Sequence, residues 1–152
     1  MKKYALFLAL ALLPMLASAQ ECENLQGAYS ADVPSGDEPF DLVVVQKGCD
    51  SVQLLRSFYR VPMQYNTNAV FDGKIYDEDM LGYVFKRRYF WDNGKAFYEG
   101  TLLDASGNFQ ANIKGELRLA GGVLKNIMNY HDENGNYIVR DVETFVPRLL
   151  TQ

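Results

Sequence analysis

The segment from Phe109 to Leu119 alternates apolar and polar residues without a break, and a β-strand is the element that can use that pattern. Phe109, Ala111, Ile113, Gly115, Leu117 and Leu119 share one parity; Gln110, Asn112, Lys114, Glu116 and Arg118 share the other. Successive side chains of a strand point to opposite faces, so one row is buried and the other hydrated. On a helix the same apolar residues would scatter around the axis. A one-residue slip would carry the whole apolar row into water, so the pairing register is tightly specified.

Similar segments follow one another along the chain. Candidate strands lie at 25–30, 40–46, 51–59, 68–76, 81–91, 95–103, 108–119, 122–131 and 137–146, the last five forming a meander. Turn chemistry separates them. Asn93-Gly94 and Asn134-Gly135 are the dipeptides preferred by type I′ hairpins, and Asp72-Gly73 is similar. Val61 to Asn68, with Pro62, Asn66 and Asn68, reads as an irregular loop or lid. No helical run of convincing length appears after residue 20, and no motif recurs at a fixed period, which excludes a solenoid or propeller.

About eight strands in one short chain must hide their edges, and closure into an antiparallel up-and-down barrel does this most simply. The expected fold is therefore all-β: a single barrel of about eight strands, with a β-sandwich as the alternative. The sandwich needs long crossings, for which the second half has no room.

The first nineteen residues stand apart. Lys2 and Lys3 precede the apolar run Ala5–Leu13, and Ala17-Ser18-Ala19 supplies a small-residue cleavage pattern. This is the layout of a signal peptide, and the run is shorter than the ~20 residues a membrane helix needs. Residues 20–152 then form one domain, exported to the periplasm or beyond, with no transmembrane segment. Two of the fifteen Lys and Arg leave with the peptide, so the mature chain sets thirteen against nineteen Asp and Glu, a net charge of −6. In an oxidising compartment the two cysteines, Cys22 and Cys49, are expected to pair. Glu21 precedes Cys22, where a lipid-attachment site needs a small residue.

The acidic balance argues against nucleic acid as a partner, since phosphate binding needs a basic footprint. A single histidine, His131, cannot build a multi-His metal site. Its neighbour Asp132 would point to the opposite face of a strand and could orient it only through the turn. There is no nucleophile elbow, P-loop or dinucleotide fingerprint, so neither an enzyme nor a cofactor is indicated. Asp132, Asn134, Asn136 and Glu143 fall at calcium-loop positions, but Tyr137 occupies the position that needs Gly, and a hairpin turn explains the same residues. Asp77-Glu78-Asp79 reads as a solvated acidic turn in preference to a calcium site.

The strongest binding candidate is one strand face. Tyr83, Phe85, Arg87, Tyr89 and Trp91 alternate along a single segment. With that face inward, Arg87 is a cation inside an aromatic-lined cavity, able to hold the carboxylate of a ligand whose apolar body fills the barrel. The competing reading is packing, with Arg87 stacked on Tyr89 or extending to a barrel mouth.

In size, export and strand pattern the chain resembles the lipocalin and wider calycin group. Gly27-Ala28-Tyr29 stands where lipocalins carry G-x-W, with Tyr in place of Trp. The resemblance implies an Arg from the last strand over that ring, a part open to Arg140 or Arg148. Two functions fit. One is a non-catalytic carrier or sensor for a small apolar or amphipathic ligand. The other is a protein-interaction module, such as an inhibitor of a basic envelope-acting enzyme, steered by the −6 charge. Small exported β-barrel inhibitors of lysozyme are similar in size and compartment.

Overall fold

A computed structural model describes residues 21–31, 40–58, 64–80 and 82–148. The expected signal peptide lies outside the described residues. Ten strands are present: β1 (Gly27–Ala31), β2 (Phe40–Lys47), β3 (Ser51–Phe58), β4 (Gln64–Val70), β5 (Tyr76–Met80), β6 (Tyr83–Asp92), β7 (Lys95–Asp104), β8 (Phe109–Ala120), β9 (Val123–His131) and β10 (Tyr137–Pro147). They make one sheet in the order β4-β3-β2-β1-β10-β9-β8-β7-β6-β5, every neighbouring pair antiparallel. Pairing of β1 with β10 joins the two halves, and β4 comes back against β6, so the sheet curls into a nearly closed barrel. Between β4 and β5 there is no ladder.

The meander from β6 to β10 follows the alternation of its sequence. In β8, Ala111, Ile113, Gly115 and Leu117 are buried while Gln110 and Lys114 are exposed. Two expectations in the first half need correction. The candidate at 68–76 is two strands, because β4 ends at Val70 and β5 starts at Tyr76. The expected loop over Val61–Asn68 is largely strand: Gln64 onward pairs with β3, although 61–63 lie outside the described residues. Edge position explains the polar sequence there, since Asn66 and Asn68 face solvent while Thr67 and Ala69 face the core.

Turn geometry also divides. Asn93 and Gly94 both have positive φ, 49° and 78°, the type I′ signature. Asn134-Gly135 does not repeat it, for only Gly135 is left-handed. There Asp132 organises a longer turn, accepting from the Asn134 and Asn136 backbones at 2.9 and 2.8 Å. Asp104 builds the same turn with Ser106 and Asn108. Asp72-Gly73 joins the unpaired strands β4 and β5 and is no hairpin at all.

One end of the barrel is capped by residues 21–26. Cys22 and Cys49 form the expected disulfide. Leu25 is fully buried, its N–H donating to Gln46 Oε1 at 2.7 Å, and Tyr29 donates to the Leu25 carbonyl at 3.0 Å. Trp91 Nε1 donates to the Cys49 carbonyl at 2.7 Å and its ring stacks on Phe71 at 4.4 Å. Tyr29 lies over Gly27, where a Cβ would come within 2.9 Å of the ring. The arginine implied for that ring is not there: Arg148 pairs with Asp41, and Arg140 is exposed.

Candidate ligand-binding cavity

Strand β6 supplies the inward row that positions the site. Phe85, Arg87 and Tyr89 are buried at 3, 7 and 1% exposure, whereas Lys86 and Arg88 face out. Across the ladder from Arg87 stands Gly100. A Cβ there would lie 2.2 Å from the Lys86 carbonyl oxygen and 2.7 Å from Arg87 Cα, so the missing side chain lets β7 fold close against β6 beside the cation.

Arg87 is buried among aromatic rings. Its guanidinium carbon sits 4.7, 5.0 and 5.6 Å from the ring centres of Phe85, Tyr89 and Tyr98. Its Nε donates to Glu78 Oε1 at 2.9 Å and Nη2 bonds Glu78 Oε2, a two-point pair; Tyr89 also donates to Oε1 at 3.2 Å. Burial pulls the Arg87 pKa down, but the Glu78 hydrogen bond and charge, together with Tyr89 and Tyr98, outweigh it and hold the group above its ordinary value. Burial pushes the Tyr89 and Tyr98 phenols far above theirs, against the opposing pull of Arg87.

The acidic run is therefore not a solvated turn. Asp77, Glu78 and Asp79 lie on β5, where alternation sends Asp77 out to Lys86 at 2.8 Å and Glu78 in to Arg87.

A second polar cluster occupies the wall made by β7, β9 and β10. Tyr98 donates to Asn126 Oδ1 at 2.7 Å, and Asn126 Nδ2 donates to Glu143 Oε2 at 2.6 Å. Tyr130, beside it, has a raised pKa, first from burial and then from the carboxylates of Asp141 and Glu143.

Between these clusters lies a cavity of about 450 Å³, lined by apolar groups such as Phe40, Phe58, Leu102, Ile113 and Met128 together with Arg56, Arg87, Asn126 and Glu143. That volume falls in the usual range for small-molecule sites. Phe40, Phe58, Tyr83 and Tyr130 sit at strand ends away from the cap, so the cavity lies toward the opposite end.

Of the five residues read from sequence, Tyr83, Phe85 and Arg87 line this cavity. Tyr89 packs against Arg87, and Trp91 belongs to the capped end. Sequence reasoning missed Glu78, Arg56, Asn126 and Glu143. Parity held a signal for two of them: Asn126 is in step with Leu124, and Glu143 with Phe145.

His131 and Asp132 form no pair. Asp132 is committed to its turn, and His131 is edge-on to Tyr137 at 6.1 Å. Among the described residues no group of acidic, His and Cys side chains is arranged to hold a metal ion, and no helix is long and apolar enough to cross a membrane.

No family model matches the chain, and no curated protein does. Solved structures do. A secretory abundant heat soluble protein from Ramazzottius varieornatus is 13% identical, with a TM-score of 0.59 over 86% of this chain and 100% of that one. Human cRBP IV is 16% identical, with a TM-score of 0.58 over 83% of this chain and 99% of its own. Fatty-acid-binding protein 1 of Echinococcus granulosus is 13% identical, with a TM-score of 0.59 over 82% and 98%. At these identities the shared property is the fold, an antiparallel, lipocalin-like β-barrel.

Proposed function

We propose that the protein is an exported, non-catalytic binding protein whose barrel takes up a small apolar or amphipathic molecule. The observation that carries this reading is the 450 Å³ cavity, apolar over most of its lining with a few converging polar side chains. Tyr83 and Phe85 contact the apolar body of the ligand, and Arg87, with Tyr89 packed against it, gives the cavity a polar wall. Residues 1–19 act as the export signal, and residues 20–152 are the working domain. The Cys22–Cys49 bridge supports an oxidising compartment. That a fatty-acid-binding protein shares the fold supports a lipid-like cargo.

Native mass spectrometry of the protein purified from its own host tests both parts. The expected spectrum shows a mass beginning at Gln20 plus a retained small molecule. A bare protein that also takes up no neutral hydrophobic dye would overturn the carrier reading; a mass that retains residues 1–19 would overturn export.

A further inference from the structure

The charged groups at the cavity cancel. Arg87 is matched by Glu78, so it is not a free cation waiting for a carboxylate. The remaining lining charges are Arg56 on β3 and Glu143 on β10, one of each sign. Moving a charged group from water into a low-dielectric interior is costly unless an opposite charge is left for it. Summed over its lining the cavity offers a fatty acid no net charge, and the one lining cation without a carboxylate partner among the described residues, Arg56, is balanced by Glu143.

It does offer an acceptor. The Glu143 carboxylate is held by one oxygen: Oε2 takes the Asn126 amide, whose orientation is fixed because its Oδ1 accepts from Tyr98. Asn126 and Tyr98 are both buried, at 6 and 4% exposure, so this support is rigid. Among the described residues no donor reaches Oε1 of Glu143, and that residue lines the cavity. An acceptor held this way is preorganised for a donor that a ligand brings with it.

From these two facts we infer that the ligand is a net-neutral amphiphile whose head donates a hydrogen bond to Glu143, of the long-chain alcohol class, and is preferred over the fatty acid of equal length. This rests on the barrel being a binding cavity, as proposed above. It also changes the role of Arg87, whose pair with Glu78 serves as a neutral polar wall in place of a carboxylate clamp.

The test is displacement of Nile red, an uncharged dye, from the full mature protein by dodecanol and by dodecanoate at neutral pH. Dodecanol is expected to bind more tightly by at least about tenfold, the worth of one hydrogen bond to a charged group. Glu143→Gln should erase most of that preference. Glu78→Gln frees Arg87 and should raise dodecanoate affinity by about tenfold or more. Circular dichroism melting checks each variant. If Glu78→Gln fails to fold, the Glu143 and Arg56 variants still decide the matter. Tighter binding of dodecanoate, lost in Arg56→Gln, would overturn the head-group inference while leaving the binding cavity standing. Failure of Nile red to bind at all would overturn the cavity reading itself.

Discussion

The ring of Tyr98 lies flat on the backbone of Gly115, directly across the β7–β8 ladder, so close that a Cβ on Gly115 would fall 2.0 Å from Tyr98 Cζ. The pair fixes more than packing. The ring position it sets is the one from which the Tyr98 hydroxyl holds Asn126. Gly115→Ala forces the ring away and breaks that hydrogen bond. Overpacking costs of this kind run to about 1–3 kcal/mol, and losing the hydrogen bond adds about 1 kcal/mol. Urea unfolding should show the loss, and the binding preference that depends on Glu143 should fall with it.

The Cys22–Cys49 bridge spans 27 residues in sequence and ties the cap to the β2–β3 turn. Chain entropy predicts that removing it with a double Cys→Ser variant costs about 3.5 kcal/mol. Because the Trp91 indole donates to the Cys49 carbonyl, reduction should also shift Trp91 fluorescence before the barrel unfolds. Trp91 is the single tryptophan, so the signal is unambiguous.

Acid should loosen the turns in a defined order of cause. Asn108 hydrogen bonds hold the Asp104 carboxyl below the usual carboxylate range, and Asn136 does the same for Asp132. For Asp72 the Lys74 backbone bond leads, followed by the Tyr76 hydroxyl. A depressed folded pKa means stability that is present above the unfolded value of about 4 and is lost as pH falls through the folded value. Amide exchange at Asn108, Asn136 and Lys74 should accelerate together below that point, with the strand cores still protected.

Alkali should reach the interior only by unfolding it. Burial raises the Tyr89 and Tyr98 phenols, which favours their neutral form in the folded state. That stability is complete below the ordinary phenol value of about 10 and declines as pH rises beyond it. Phenolate absorbance from the buried pair Tyr89 and Tyr98 should therefore appear only with loss of the far-ultraviolet β signal.

What the sequence reveals depends on how a residue earns its place. Ala111 through Leu117 could be placed from parity alone, because burial on one face is a local property of a strand. The turn at Asn134-Gly135 departs from the type I′ expectation because Asp132 captures the backbone two and four residues on, a side-chain competition that the dipeptide does not show. Glu78 was hidden more deeply. Three consecutive carboxylates look alike in one dimension, and only the register that sets Glu78 opposite Phe85 turns it alone toward Arg87. The cavity itself needs strands distant in sequence, β3 with Arg56 and β10 with Glu143, to share one interior.

The missing ladder between β4 and β5 gives the barrel a seam. Prising the wall apart at any other line breaks a run of main-chain hydrogen bonds; along this one, where β4 comes back against β6, no strand ladder is present among the described residues. Glu78 stands on one lip of that seam, gripping Arg87. Arg87 sits on the adjoining β6, so the ion pair rides with that lip instead of fastening the two lips together, and parting the seam would leave this pair unbroken.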